Sequence, residues 1–332
     1  MKALVTGASG FTGSYMVKNL LNHGYDVRAL VRPSSDLSAL KGLPIEFVFG
    51  DIRNREEVFE AVRGVETVFH IAALYRAANL PDNEYRAVNV IGTQHVLEAA
   101  LEFGVMRVVH CSTCGVHGDI RNPPADESAP PAPEDIYQRT KLEGEQLALR
   151  YHSERGLPVT VVRPVGIYGP GDLRMLKMYR SIQRGRFIMF GGGEVLYHLT
   201  FVTDTVEGFR LAGEHPQAVG QTYIIAGEKH TTLMGFAEQV AKELQVAPPK
   251  WKPPVWPLYA AAVVCEKICV PLRVQPPIFP RRVHIFTHDR AFDISKAKRE
   301  LGYAPQIDMT EGIHRTAEWY IENGFLEKRK SS

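Results

Sequence analysis

An apolar β-type run at 2–6 passes directly into Gly7-Ala8-Ser9-Gly10-Phe11-Thr12-Gly13 and then into an amphipathic helix, and this junction limits what the chain can fold into more than any other feature. Gly7 permits a tight turn, Gly10 lets the backbone approach a pyrophosphate, and Gly13 lets helix and strand pack closely. The helix N-terminus is then aimed at the phosphates of a dinucleotide. Ser9, Phe11 and Thr12 belong to the same cradle and are read as cofactor contacts.

The rhythm after this turn extends the prediction to the whole first half. Strand-type runs at 2–6, 26–31, 45–49, 67–70, 105–111 and 159–163 alternate with helical patterns, which predicts a parallel sheet covered on both faces. Met16, Val17, Leu20 and Leu21 mark one face of the first helix. Val88, Ile91, Val96, Leu97 and Ala100 mark a face of a later, longer one, as core or subunit interface. Beyond 163 the punctuation changes: Gly-Pro-Gly at 169–171, three glycines at 191–193 and Pro-rich stretches at 248–257 and 271–280. Helical patterns return at 234–244 and 310–323. The reading is an α/β fold: a Rossmann-type doubly wound parallel sheet over 1–165, which elements from the second half complete, and a smaller mixed α/β substrate lobe over 166–330.

Charge and composition narrow the partners. The 39 basic and 37 acidic residues leave a formal charge of +2, too balanced for a nucleic-acid surface, so a small-molecule substrate is expected. Cys111, Cys114, Cys265 and Cys269 loosely mimic a four-thiolate zinc site. The first pair lies at a strand end and the second in an apolar helical stretch, so they are read as ordinary buried thiols and no metal is assigned. No apolar leader follows Met1-Lys2, and the longest apolar run, 256–265, is about half the ~20 residues of a membrane-spanning helix. A cytoplasmic protein is expected.

Two further constellations give the chemistry. Arg32 stands at the end of the second strand, where an acid would accept the ribose hydroxyls of NAD, and an arginine suits a 2′-phosphate. The cofactor is therefore NADP or NAD, with a lean to NADP. Asp51 and Ile52 fall near the adenine, and Ala72 and Ala73 supply small residues where the dinucleotide crosses the sheet edge. Tyr137 and Lys141, four apart at a helix start, share one face. A phenol with an ordinary pKa near ~10 becomes a working base when a lysine and a nicotinamide cation favour the phenolate. Upstream, Ser112 and Thr113 end the fifth strand; alternation turns only one hydroxyl toward substrate, and Thr113 is preferred.

Glycine turn, strand-end hydroxyl and Tyr-x-x-x-Lys, in this order and spacing, resemble the extended short-chain dehydrogenase/reductase family across nearly the whole chain. The resemblance implies catalytic roles for Thr113, Tyr137 and Lys141, with Lys141 also holding the nicotinamide ribose. It implies cofactor contacts at Ser112, Pro164 and Val165, and places Asn89 in the cofactor-binding set with a structural duty. It also implies a homodimer through the long helices carrying Asn89 and Lys141. Thr113 is followed by Cys114-Gly115 rather than the Asp-Glu pair of sugar-nucleotide dehydratases, which counts against dehydration. Tyr197-His198 stands where sugar-nucleotide epimerases carry an arginine, although Arg281 or Arg282 keeps that reading open. The stretch from Pro276 to Ile313 resembles the 3β-hydroxysteroid and sterol-4-carboxylate dehydrogenase branch. There the apolar 251–270 segment flanks the pocket and touches membrane weakly. Hydride transfer at a secondary alcohol or ketone is the leading expectation, a UDP-hexose type 4-epimerase the second, and a non-catalytic NADP-binding regulator the third.

Overall fold

The computed structural model describes residues 1–75, 80–269, 271–272, 274 and 276–327, with the side chain of 281 excepted. The first half runs β1 (Lys2–Thr6), α1 (Phe11–Asn22), β2 (Asp26–Val31), β3 (Glu46–Phe49), α2 (Arg55–Val62), β4 (Thr67–His70), α3 (Asp82–Arg86), α4 (Gly92–Glu102), β5 (Arg107–Cys111), α5 (Ile136–Arg155) and β6 (Val159–Pro164). The second runs β7 (Gly166–Tyr168), α6 (Leu176–Gln183), β8 (Leu196–Tyr197), β9 (Leu199–Phe201), α7 (Val202–Glu214), β10 (Thr222–Ile225), β11 (Thr231–Thr232), α8 (Leu233–Glu243), α9 (Trp256–Cys269), α10 (Pro280–Val283), α11 (Ser295–Leu301) and α12 (Met309–Glu322).

Seven parallel strands lie in the order β10-β6-β5-β4-β1-β2-β3. Period-two alternation sends Ala3 and Val5 into one core, with α1 and α7, and Leu4 into the other, with α2 and α4. Two faces buried by helices explain why these strands read as continuous apolar runs. The strand order reverses between β1 and β4, and the crevice at their C-terminal ends is where such sheets bind ligands. β10 pairs with β6 and α7 packs on α1, so the chain returns to the sheet after leaving it at 166. The second lobe has its own core, in which Tyr179, Phe236, Val240, Ile313 and Tyr320 meet. It contains the parallel pair β7–β9 and the antiparallel pair β8–β11.

Two strand starts shift from the sequence reading. β3 starts at Glu46 and β5 at Arg107; Val105 N–H donates to Ala100 O at 2.9 Å, closing the end of α4 instead of pairing. The stripe over 88–100 is also interrupted. Residues Ala87–Ile91 form a π-helical turn between α3 and α4, whose extra residue rotates everything before it relative to a 3.6-residue period. Asn89 turns inward, 1% exposed, and Ile91 turns out, 41% exposed.

Candidate active site

A cleft of about 620 Å³ runs from the β1–α1 turn, across the ends of β4 and β5, to the second lobe. It has the size of an ordinary ligand cavity. Its dinucleotide end is built by the glycine turn. Gly7 has φ +71°, and a Cβ there would lie 2.8 Å from Ala72 backbone atoms; a Cβ on Gly13 would lie 2.0 Å from Gly7 O. Neither position admits a larger residue. No side chain caps α1 and no acid lies in its first turn, so its first N–H groups face the cleft with their dipole intact, as an anion requires. These features fit a dinucleotide pyrophosphate against Gly10, Phe11, Thr12 and Gly13.

Beyond the turn, Arg32, Ser35, Asp51 and Ile52 line the adenosine end. Asp51 accepts from Arg53 at 2.8 and 3.0 Å, and this bonding, with the Arg32 charge contributing, holds its carboxyl below the ordinary range. Ala72 and Ala73 form the floor. That floor is fixed from beneath by a chain of polar groups: Ala72 N–H donates to Thr6 Oγ1 (3.2 Å), which lies 2.8 Å from His70 Nδ1, while His70 Nε2 lies 3.0 Å from Thr93 Oγ1. Thr93 donates to Asn89 O at 2.8 Å, so Nε2 carries the His70 proton and Nδ1 accepts from Thr6. Burial pushes the His70 pKa down to about 3.

The reacting end draws on β5 and α5. Asp135 caps α5 through a reciprocal pair with Gln138, fixing the first turn that carries Tyr137. Tyr137, Lys141, Thr113 and Ser112 all line the cleft. Lys141 is 2% exposed, and its ammonium donates to Cys111 O. Burial pushes its pKa below the ordinary value, against the Cys111 and Glu145 charges. The two adjacent hydroxyls separate as alternation requires. Ser112 donates to the buried Glu145 at 2.6 Å, whereas Thr113 Oγ1 accepts from Gly115 N–H at 3.0 Å and keeps its own proton to give. Glu145 also accepts from Arg163 Nε at 3.0 Å, a buried ion pair that ties α5 to β6.

Of the residues assigned to catalysis or cofactor binding from sequence, all but one line the cleft. Asn89 does not line it: its amide bonds Leu74 N–H (2.8 Å), Leu74 O (3.2 Å) and Thr140 Oγ1 (3.0 Å), so it braces the cleft wall from behind. Pro164 and Val165 line the cleft. Arg282 donates to Pro277 O at 3.0 Å and does not line the cleft, while the side chain of Arg281 lies outside the described residues. The cysteines do not converge on a metal: Cys114 Sγ lies 3.1 Å from Arg163 O, and Cys265 and Cys269 face each other at 3.8 Å on α9.

Several lining residues were given no site role in the sequence reading: Tyr75, Gln138, Arg174, His198, Arg290 and Phe292. Arg174 is clamped by Asp172 at 2.7 Å and sits over the Phe11 and Tyr75 rings at 5.5 and 5.7 Å. Tyr75 in turn meets Tyr137 edge-on at 5.0 Å. His198 has both nitrogens occupied, Nδ1 by Phe292 N–H (3.2 Å) and Nε2 by Gly227 O (2.9 Å); burial pushes its pKa down to about 4. It is a neutral tie between three segments. Arg290, bridged to Tyr197, supplies a guanidinium to the wall where the sequence around 197 offered none. The Gly-Pro-Gly-Asp run pointed toward Arg174; nothing local marked Arg290.

The model of the NAD-dependent epimerase/dehydratase family matches residues 3–226. A 3β-hydroxysteroid-dehydrogenase/decarboxylase of Arabidopsis thaliana is 33% identical over 94% of this chain and 78% of its own. A decarboxylating sterol-4-alpha-carboxylate 3-dehydrogenase of Mus musculus is 31% identical over 96% and 90%. Among solved structures, gox2253 superposes with a TM-score of 0.84 at 31% identity over 98% and 99% of the two chains. The dTDP-glucose 4,6-dehydratase of Streptomyces venezuelae, with NAD bound, gives 0.78 at 28% identity over 99% and 100%.

Proposed function

The chain belongs to the NAD-dependent epimerase/dehydratase family, and from that premise we propose that it transfers hydride reversibly at a secondary alcohol or ketone of a 3β-hydroxysteroid-like substrate. The observation that carries this reading is the division of labour at the end of β5. Thr113 keeps a free proton at the cleft beside Tyr137 and Lys141, while Ser112 is committed to Glu145.

In the oxidising direction, Tyr137 takes the proton of the substrate hydroxyl. Thr113 donates to the same oxygen and steadies its charge as the carbonyl forms. Lys141, a buried ammonium on the same helix face, favours the phenolate of Tyr137 and holds the nicotinamide ribose. The bound dinucleotide supplies the hydride acceptor. Arg32 at the adenosine end favours NADP. Relatives whose names specify 3β-hydroxysteroid or sterol-4-carboxylate substrates match over nearly the whole chain, which favours a sterol-like alcohol.

The exterior of α9 agrees with a lipid-like substrate. Trp256, Tyr259, Val264 and Ile268 are 45–73% exposed, and of this helix only Ala262 is buried. Around it the sequence places Lys250, Lys252, Lys267, Arg273, Arg281 and Arg282 against Glu266 alone. Apolar side chains flanked in sequence by cations suit a helix lying in an anionic bilayer interface. No helix among the described residues is long and apolar enough to cross a membrane.

A second reading, epimerisation of a nucleotide sugar, is favoured by Arg174 and Arg290, two guanidiniums suited to a pyrophosphate in the substrate half of the cleft. One experiment separates the two. The protein is incubated with excess NAD or NADP and a panel of 3β-hydroxysteroids and UDP-hexoses, with reduced nicotinamide followed by absorbance and sugars by chromatography. Net reduction of the cofactor with a hydroxysteroid is expected. An inverted sugar without net reduction replaces the first reading with the second.

A further inference from the structure

Away from the cleft, one set of ligating side chains draws together segments far apart in sequence. Glu134 precedes the α5 cap Asp135, while His284 and His288 lie one turn apart just after α10, with His288 N–H donating to His284 O at 3.1 Å. His284 Nδ1 is 3.0 Å from Glu134 Oε2 and His288 Nε2 is 2.7 Å from Glu134 Oε1. The two imidazoles stack with centroids 4.1 Å apart and 13° between planes. Among the described residues, this is the one group of three or more His, Cys, Asp or Glu whose donor atoms lie within 4.8 Å of one another.

We propose that Glu134, His284 and His288 bind a divalent transition-metal ion of the zinc class, which clamps the segment leading to Arg290 onto the N-terminus of α5. Two imidazoles and a carboxylate form a donor set that such ions take, leaving a position for water. Bonds of about 2.0–2.1 Å in tetrahedral geometry set ligand atoms roughly 3.3–3.4 Å apart. Uptake of the ion therefore turns the two stacked rings until their in-plane lone pairs converge on one point, moves the proton of each neutral ring to its other nitrogen, and opens the 3.0 and 2.7 Å pairs by roughly 0.3–0.7 Å. Side chains with 16–29% exposure can make that movement.

The surroundings already orient the ligands. Thr287 Oγ1 lies 2.8 Å from His288 Nδ1 and can accept the proton left there when Nε2 binds metal, the usual partner of a ligating histidine. Glu134 N–H donates to Gln138 Oε1 at 2.6 Å. Asp289, the next residue after His288, is anchored through Asp119 (2.9 Å) and Leu196 (2.7 Å). Gln138 and Arg290 line the cleft while the three ligands do not. The ion thus holds the substrate wall without touching the reacting atoms.

The test uses the full-length protein, stripped with chelator and titrated with Co²⁺ and Zn²⁺ by calorimetry and by the visible absorption of Co²⁺. One ion per chain with a micromolar or tighter Kd is expected, together with a rise in Tm on adding Zn²⁺. His288→Ala and the near-isosteric Glu134→Gln, each checked for native circular dichroism, are expected to weaken binding by about thirtyfold or more and to abolish the Tm rise. Wild-type binding weaker than millimolar overturns the site. So does binding that both folded variants retain, which identifies other surface histidines as the ligands.

Discussion

Ser112 gives its hydroxyl to Glu145 at 2.6 Å, inside the protein, while the next residue faces the cleft. The pair thereby separates a hydroxyl open to the cleft, the one assigned to catalysis in the proposed reaction, from one committed to the interior. Thr113→Val is expected to lower turnover by about a hundredfold, the scale of losing one transition-state donor, with Tm unchanged. Ser112→Ala is expected to do the reverse, lowering stability by about 1–2 kcal/mol while turnover stays within a few fold. Thermal melts and steady-state rates on both variants check the assignment, and equal rate losses would refute it.

Tyr137→Phe removes the proton acceptor and nothing that touches the dinucleotide turn. Turnover is expected to fall by about 10²–10⁴-fold, with cofactor affinity by fluorescence titration nearly unchanged. Lys141→Met tests a different balance. A buried ammonium bonded to a carbonyl is an electrostatic liability in the fold, and replacing such a group by an apolar one of similar shape is often neutral or stabilising. Activity is expected to collapse with Tm held or raised; a clear loss of Tm would make Lys141 structural first.

Arg32→Ala is expected to weaken NADP at least tenfold, about 1.4 kcal/mol, and NAD by much less. Asp51 carries a carboxylate that feels the Arg32 charge, so the arginine has two anions to serve and the discrimination stays moderate. Binding isotherms for both cofactors decide it, and equal losses would remove the 2′-phosphate from its role.

Much of this site was legible because its signals are local. The glycine turn, the Tyr-x-x-x-Lys face and the strand-end hydroxyls each sit within a few residues whose geometry follows from one strand or one helix. Asn89 was legible as a residue but not as a contact: the π turn at 87–91 rotates it inward, and no 3.6-residue pattern contains that rotation. Arg290 and the Glu134–His288 pair were invisible for another reason. The second lobe brings segments separated by 154 positions to one point, and no spacing in the sequence encodes that meeting. His198 stands where sugar-nucleotide epimerases carry an arginine, and packing commits both its nitrogens to backbone.

The buried histidines predict how stability depends on pH. His70 and His198 titrate near 3 and 4 in the folded chain because burial disfavours their charged form, and near the ordinary 6.5 when unfolded. Between those values the unfolded state binds more protons. The stability they contribute is complete above about pH 6.5 and is lost as pH falls toward 4, by up to about 1.4 kcal/mol per pH unit for each histidine. Tm is expected to decline steadily below pH 6.5, and less steeply in His198→Gln, whose amide can still donate to Gly227 and accept from Phe292. A flat Tm from pH 7 to 5 would contradict this.

The exposed face of α9 predicts where the protein works. Burying Trp256 and Ile268, 73% and 56% exposed, in a bilayer interface recovers apolar area at roughly 25 cal/mol per Å², and each cation near an anionic surface adds about 1 kcal/mol. Neither contribution alone holds a protein of this size at a membrane, so binding should require both. Cosedimentation with vesicles containing phosphatidylglycerol is expected, falling sharply at high salt, with phosphatidylcholine alone, or in Trp256→Ser/Ile268→Ser. The same double variant should keep its rate on a water-soluble hydroxysteroid, because α9 lies outside the residues lining the cleft. Vesicle binding that ignores the double substitution would assign the contact to another surface; no binding to anionic vesicles would leave the apolar face to a protein partner.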